Sequence, residues 1–335
     1  MHKLIKMFIL LGCFFLSLPG VSFSGETIKL TYSNFFPPMH IQSKLAEQWA
    51  QEVEKRTKGR VKVEYYPGGT LTSAPQCYQG VIDGISDIGF SVLAYSRGRF
   101  PTMAAVDLPL GYTSGQVATE VANAVYQKFQ PKEFKDVEVM YFHAHGPGLI
   151  HTSEKEIRSM ADLQGVKIRA TGNSAKVIKA LGGIPVAMPM PDSYQNIQKG
   201  VVDGGIYPME TNKGWRLAEV VSYVTDTYAA AYTTTFFVVM NQEKWQTLPQ
   251  DIQKIIQKIN SEWITKHGKA WDESDKEGLS YFTQKGNKVI HLDDQETKKW
   301  KAAVQPMIND YVQSVSAKGI KGQQIVDFTI SKINQ

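Results

Sequence analysis

Gln79-Gly80-Val81-Ile82-Asp83-Gly84 and Lys199-Gly200-Val201-Val202-Asp203-Gly204 are nearly the same phrase, set more than a hundred positions apart. Each follows a helix-like stretch. Each precedes an apolar run, Ile88-Gly89-Phe90 or Gly205-Ile206-Tyr207. The shared grammar is a helix, a tight Asp-Gly turn and a buried strand. Glycine at a helix end and glycine after aspartate both favour positive φ, where other residues carry a Cβ penalty. A repeated helix–turn–strand unit predicts two similar α/β lobes, and a cleft between lobes is a common place for a small ligand.

The segments on either side extend the pattern. Residues 27–32 and 61–66 alternate apolar and polar side chains and read as strands. Between them, residues 41–58 form an amphipathic helix with Leu45, Trp49 and Val53 on one face and Gly59 at its end. A helix near 75–79 leads to the first Asp-Gly turn and a strand over 85–92. Residues 137–142 read as a strand, and His145-Gly146-Pro147-Gly148 breaks the pattern at a crossing between lobes. The second half opens with a short helix at 160–165 and a strand at 166–169. A helix (173–181), a strand (184–188), a helix (192–199) and the second turn with its strand follow. Residues 234–240 read as a buried strand returning to the first lobe. Ile252, Ile255, Ile256, Ile259 and Trp263 then repeat at helical spacing, which is one buried face of a long helix. A strand at 289–292, a helix bearing Trp300, Val304 and Tyr311, and a final helix at 323–332 complete the chain. The expectation is an α/β chain of two lobes with mainly parallel sheets. Lobe I takes residues 25–147 and 235–275, and lobe II takes 148–234 and 276–335.

A length of 335 residues suits about two domains. Apolar content of 42% and charged content of 21% are those of a chain that can bury a core. Residues 1–24 read as a cleavable export signal: His2, Lys3 and Lys6 precede an apolar run over 7–18, and Ser22 and Ser24 give a small-x-small site before Gly25. That run is shorter than the roughly 20 residues of a membrane span. Leu10-Leu11-Gly12-Cys13 faintly resembles a lipid-attachment box, a minor alternative to simple export. Removing the leader takes away Lys3 and Lys6 and lowers the formal net charge from +5 to +3, too little and too dispersed for a nucleic-acid partner. Cys77 is then the remaining cysteine, so no internal disulfide is expected and the thiol reads as a small buried side chain. The expected location is the periplasm.

The common motifs of hydrolysis and nucleotide use are missing: no Gly-x-Ser-x-Gly, Ser-x-x-Lys, His-Glu-x-x-His or Gly-Lys-Ser/Thr phosphate loop occurs. These absences remove the common routes to hydrolysis and nucleotide use without excluding an enzyme. His143-Ala144-His145 and nearby His151 lack adjacent acidic or cysteine ligands, so no metal is expected, although His145 is placed to touch a ligand. Arg169 is the sharpest residue. It ends the apolar strand Val166-Lys167-Ile168 and precedes Ala170-Thr171-Gly172-Asn173, which opens a helix. Ligands gather at the carboxyl ends of strands in open α/β sheets. There a guanidinium fork can grip a carboxylate through two parallel hydrogen bonds, aided by the next helix dipole.

These segments resemble the DctP-type solute-binding proteins of tripartite ATP-independent periplasmic (TRAP) transporters. The resemblance rests on Lys58-Gly59-Arg60-Val61-Lys62-Val63 with Tyr66-Pro67-Gly68-Gly69-Thr70-Leu71. It continues in Asp162-Leu163-Gln164-Gly165-Val166-Lys167-Ile168-Arg169, in Tyr194 through Gly204, and in Trp245 with Leu248-Pro249. It implies a two-lobed periplasmic binding protein fold with a long helix spanning the back and hinge strands, closing around one solute as a binding protein and not an enzyme, with no cofactor. It also implies Arg169 as the carboxylate clamp and a permease of two integral membrane subunits as partner. The chain departs from the family pattern in two places. Leu149 stands about where sialic-acid-binding relatives carry a second arginine, and Tyr207 replaces the amide of the Gly-Gln-Glu-Asn-Pro segment. Phe35, Phe36, Phe90, Ser91, Met190, Tyr194, Asn212, Trp215, Tyr232 and Phe236 fall in or near segments that line the family's cleft. A buried unpaired polar group costs about 1–3 kcal/mol, so a cleft with few charges and many rings predicts a monocarboxylate with an apolar or aromatic body. In this reading Tyr207, Ser91 and Asn212 hydrogen-bond the ligand, while Phe35, Phe36, Phe90 and Leu149 wall it. A C4-dicarboxylate or 2-oxo acid is the alternative, and it calls for a second cation, for which Arg97, Arg99 and Lys213 are candidates. A periplasmic enzyme and a sensor-coupled binding protein are further alternatives. The protein is expected to act as a monomer.

Overall fold

The computed structural model describes residues 26–335; the expected export signal and cleavage site, and Cys13, lie outside them. The chain begins with β1 (Ile28–Asn34), α1 (Ile41–Arg56), β2 (Val61–Tyr66), α2 (Cys77–Ile82) and β3 (Ile88–Val92). Next come α3 (Gly115–Phe129), β4 (Val137–Ala144), β5 (Leu149–Thr152), β6 (Lys167–Ala170), α4 (Asn173–Ala180), β7 (Ile184–Ala187), α5 (Ser193–Gln198) and β8 (Gly204–Tyr207). Then follow α6 (Thr211–Gly214), β9 (Tyr223–Asp226), β10 (Thr235–Asn241), α7 (Gln242–Thr247) and the 35-residue α8 (Gln250–Gln284). β11 (Lys288–His291), α9 (Asp294–Val304), α10 (Pro306–Ser316) and α11 (Gly322–Ile333) end it.

The strands form two sheets, ordered β2-β1-β3-β10-β4 and β11-β9-β5-β8-β6-β7. Both are mixed. Five of the nine pairings are parallel, and the four antiparallel ones involve β10 in the first sheet and β5 in the second. Both exceptions are tied to crossings. β4 lies in the first sheet and β5 in the second, so the chain changes sheets through His145-Gly146-Pro147-Gly148, and β10 brings it back.

The repeated phrase marks two equivalent units, but in a register four residues away from the letter match. In the first unit the left-handed residue is Gly84 (φ 71°); in the second it is Gly200 (φ 68°). Ile85 and Ser86 N–H both donate to Gly80 O, as Val201 and Val202 N–H donate to Asn196 O. Three residues after each left-handed glycine stands an aspartate whose carboxylate accepts a backbone N–H from the neighbouring strand. These are Asp87 from Thr31 at 2.7 Å and Asp203 from Lys167 at 2.7 Å. Gly84-Ile85-Ser86-Asp87 therefore matches Gly200-Val201-Val202-Asp203. Gly204 is glycine for another reason: it opens β8 against β5, where a Cβ would meet the His151 backbone.

α8 joins the halves. Near its start it packs on α1: Trp49 Nε1 donates to Asn260 (2.8 Å), Trp263 Nε1 donates to the Leu45 carbonyl (2.7 Å), and Arg56 forks onto Glu262. Further along it packs on α3 and then on α6 and β11. α3 was not read from the sequence, nor were β5 and β9. The expected helix through Trp300 and Tyr311 divides at Pro306 into α9 and α10. α9 places Trp300 and Val304 in the cluster with Ile150, Ile168 and Ile178. Tyr311, Val315, Ile325 and Val326 of α10 and α11 pack instead with Tyr78, Val121 and Phe142 beside the first sheet. The chain from 276 onward is thus shared between the two sheets.

Candidate functional site

Arg169 is the third residue of β6, between Val186 of β7 and Gly205 of β8, and it is only 4% exposed. A Cβ on Gly205 would collide with the Tyr207 ring, so glycine there lets that ring lie across the strand. Its Nε donates to the Met188 carbonyl at 3.1 Å. Tyr95 lies beside it, with its hydroxyl accepting the Met190 N–H at 2.9 Å. Burial raises the Tyr95 pKa, and the guanidinium charge partly offsets that. Among the described residues no carboxylate pairs with Arg169. A buried unpaired cation is costly, and this one lines a cavity.

The cavity draws on both sheets. Phe35 and Phe36 follow β1, Phe236 lies on β10, Trp215 follows α6, and Trp271 projects from α8. Their rings make a layered wall. Phe35 stacks on Phe236 (6.5 Å, 9°) and on Trp215 (6.0 Å, 22°), and Phe236 stacks on Trp271 (5.2 Å, 27°). The polar lining is sparse. Tyr207 and Tyr232 stand near Arg169, whose charge counters the burial that raises both hydroxyl pKa values. Tyr232 spends its hydroxyl on the Ile206 carbonyl (3.0 Å), whereas the buried Tyr207 hydroxyl has no partner. Burial, with Arg169 adding to it, pushes the His145 pKa down to about 4, so this ring is neutral at pH 7. Glu210 also lines the cavity, close to His40.

Seven of the twelve residues singled out from the sequence meet here: Phe35, Phe36, His145, Arg169, Met190, Tyr207 and Phe236. The other five do not line the cavity. Phe90 lies one layer below, packed on Phe36 (5.3 Å) and edge-on to His143 (4.7 Å), because β3 is an inner strand with both faces covered. Ser91 points to the opposite face and donates to the Ala74 carbonyl at 2.7 Å. Leu149 is buried in the main core cluster. Asn212 holds His151 and the Met209 carbonyl, each at 3.1 Å. Tyr194 donates to Glu219 at the surface. The candidate second cations are also elsewhere. Arg97 borders a separate cavity against α4 and α10, Arg99 lies over the Tyr78 ring, and Lys213 pairs with Glu277. Tyr95, Thr171, Glu210, Thr234 and Trp271 were not anticipated. For Trp271 a signal existed, since it continues the Ile259–Trp263 face of the long helix.

The chain is similar to known proteins over most of its length. The profile of the DctP family, bacterial extracellular solute-binding protein family 7, matches residues 32–314. A TRAP periplasmic solute-binding protein from Desulfovibrio salexigens is 36% identical, with 91% of this chain and 95% of that one covered and a TM-score of 0.80. A TRAP solute-binding protein from Rhodoferax ferrireducens, solved with copurified benzoate, is 28% identical (92% and 98% covered, TM-score 0.86). One from a marine metagenome, described as specific for aromatic acids and solved with 3-hydroxybenzoate, is 29% identical (92% and 98% covered, TM-score 0.87).

The chain is therefore an extracytoplasmic solute-binding protein built on two mixed sheets, and not an enzyme. It belongs to the DctP family of TRAP transporter binding proteins, which capture small acids and work with membrane permease subunits.

Proposed function

We propose that this protein captures a monocarboxylate with an aromatic or similarly flat apolar body and presents it to a TRAP permease. The carrying observation is Arg169, a buried guanidinium without a protein carboxylate, facing a cavity walled by stacked rings. A carboxylate supplies the missing counter-charge through charge-assisted hydrogen bonds. Tyr207, with its unpartnered hydroxyl, supplies a further donor, and Phe35, Trp215 and Phe236 hold the ring by stacking. The benzoate and 3-hydroxybenzoate of the two relatives support this class. A dicarboxylate fits less well, because no second charged cation lines the cavity among the described residues: His145 is neutral and Glu210 is acidic. Binding proceeds by closure of two lobes about the crossings between sheets, the α10–α11 pair moving with the first sheet.

The test is a thermal-shift series on the mature protein with benzoate, 3-hydroxybenzoate and succinate, alongside Arg169→Met. A ligand at about 100 times its Kd adds roughly 2.7 kcal/mol of stability. The aromatic acids are expected to raise the wild-type Tm and to leave Arg169→Met unmoved. A response to succinate alone overturns the substrate class. An equal response in Arg169→Met overturns the clamp.

A further inference from the structure

Glu210 is a carboxylate in a cavity that has been read as a site for anions. It is 2% exposed, as is His40, and its Oε2 lies 2.9 Å from His40 Nε2. His40 caps α1 beside the first sheet, and Glu210 follows β8 of the second. The Nδ1 atom of His40 accepts the Gln42 N–H, so the ring proton sits on Nε2 and is donated to Glu210. Glu210 is thereby fixed as the acceptor. Its other oxygen, Oε1, has no partner among the described residues.

The backbone is built around this carboxylate. Glu210 N–H donates to Asp275 Oδ1 at 2.8 Å. Gly278 of α8 lets the helix press on the Met209–Glu210 turn, where a Cβ would collide. A Cβ on Gly214 would stand 2.5 Å from Glu210 Oε2 and 2.7 Å from His40 Nε2. Arg169 has different neighbours, Tyr95, Tyr207 and Tyr232, and the two charges do not pair. Both line the same ring-walled cavity.

We propose that Glu210 is a specificity-determining residue that accepts a hydrogen bond from a hydroxyl group on the ring of the ligand and excludes a second carboxylate. This rests on the reading of Arg169 as the clamp for the first. An ionised carboxylate only accepts hydrogen bonds. A phenolic hydroxyl satisfies it, a bare ring leaves it unpaired, and a carboxylate placed there meets like charge across a short distance in a poorly screened site.

The experiment is calorimetric titration of wild type, Glu210→Gln and Glu210→Asp with benzoate, 3-hydroxybenzoate, 4-hydroxybenzoate and isophthalate. Glutamine keeps an oxygen for His40 and loses the charge, so folding is preserved. Aspartate keeps the charge and withdraws it from the ligand. Wild type is expected to prefer one hydroxybenzoate over benzoate by about tenfold or more, the worth of a hydrogen bond to a charged group, and to reject isophthalate. Glu210→Gln should shrink that preference severalfold and admit isophthalate. Glu210→Asp should lose the preference while still rejecting isophthalate. An unchanged hydroxybenzoate-to-benzoate ratio in both variants overturns the proposal and leaves the aromatic-acid reading standing. Failure of every one of these acids to bind wild type overturns both.

Discussion

At the scale of single residues, the site is defined by groups that the protein leaves unsatisfied. Arg169 donates to a carbonyl and stands beside the Tyr95 hydroxyl with no counter-ion among the described residues, and the buried Tyr207 hydroxyl has no partner among them. Such groups cost stability unless something else completes them. This separates two classes of variant. Tyr207→Phe removes a polar atom that has no partner in the free protein, so its Tm without ligand should hold or rise slightly. Its affinity for benzoate should fall about three- to tenfold, the worth of one ordinary hydrogen bond. Calorimetry beside a ligand-free melting curve checks both halves, and a lower ligand-free Tm would show that the hydroxyl has a structural role instead. Arg169 was legible in the sequence because a charged residue at the end of an apolar strand is out of place in a core. Ser91, Asn212 and Phe90 misled because the segment is not the side chain: strand alternation turns Ser91 to the far face, and Asn212 is consumed by His151.

At the scale of elements, the strands and helices that follow simple periodicity were legible, and those that depend on small residues were not. α3 presents Ala118, Val121, Ala122 and Val125 to the cluster beside the first sheet, with the larger Tyr126 and Phe129 only partly buried near its end. It approaches α8 through small residues: a Cβ on Gly268 would stand 3.0 Å from Gln116 Cα. Gly115 packs on Trp271 so closely that a Cβ would overlap that side chain, and its N–H donates to Asp272 at 2.6 Å. Because Trp271 lines the cavity, this helix contact reaches the ligand. Gly115→Val should push Trp271 inward, lower the Tm by several degrees and weaken benzoate binding more than the stability loss alone explains, read by calorimetry well below the melting range. By contrast, Trp49→Ala, in the α1–α8 contact remote from the cavity, should cost about 3–5 kcal/mol in urea unfolding and leave Kd unchanged in the folded fraction. Equal effects on binding would contradict this separation of two stretches along α8. The repeated phrase belongs to the same scale. It announced two equivalent units correctly, while the letters aligned four residues away from the hydrogen bonds, because α2 carries Gly80 inside its helix and α5 ends before Gly200.

At the scale of the whole molecule, the convergence of Phe35, Arg169, Glu210 and Trp271 depends on the chain crossing between sheets, which no local window of sequence contains. The same convergence buries an unusual set of titratable groups and makes stability depend on pH in two opposed ways. Burial pushes the pKa of His145 to about 4 and those of His151 and His267 to about 3, and holds His143 well below its ordinary value. Unfolded histidine titrates near 6.5. Below that pH the unfolded chain takes up protons that the folded one refuses, so these four groups withdraw stability as pH falls from about 6.5 to 4. Asp107 and Asp275 act in the other direction. Burial raises them to about 7 and about 8, against roughly 3.9 unfolded. Their contribution is complete below about pH 4 and is lost as pH rises through those values. Asp275→Asn isolates one of them, since an amide oxygen can still accept the Glu210 N–H. In urea unfolding at pH 5, 6.5 and 8, wild type should lose stability relative to this variant as pH rises, by on the order of a few kcal/mol across the range. The acid-side decline set by the histidines should be steeper in the variant, because the opposing carboxyl has been removed. Parallel profiles for the two proteins would mean that Asp275 ionises normally in the folded state, and that the turn carrying Glu210 rests on an exposed charge and not on a buried acid.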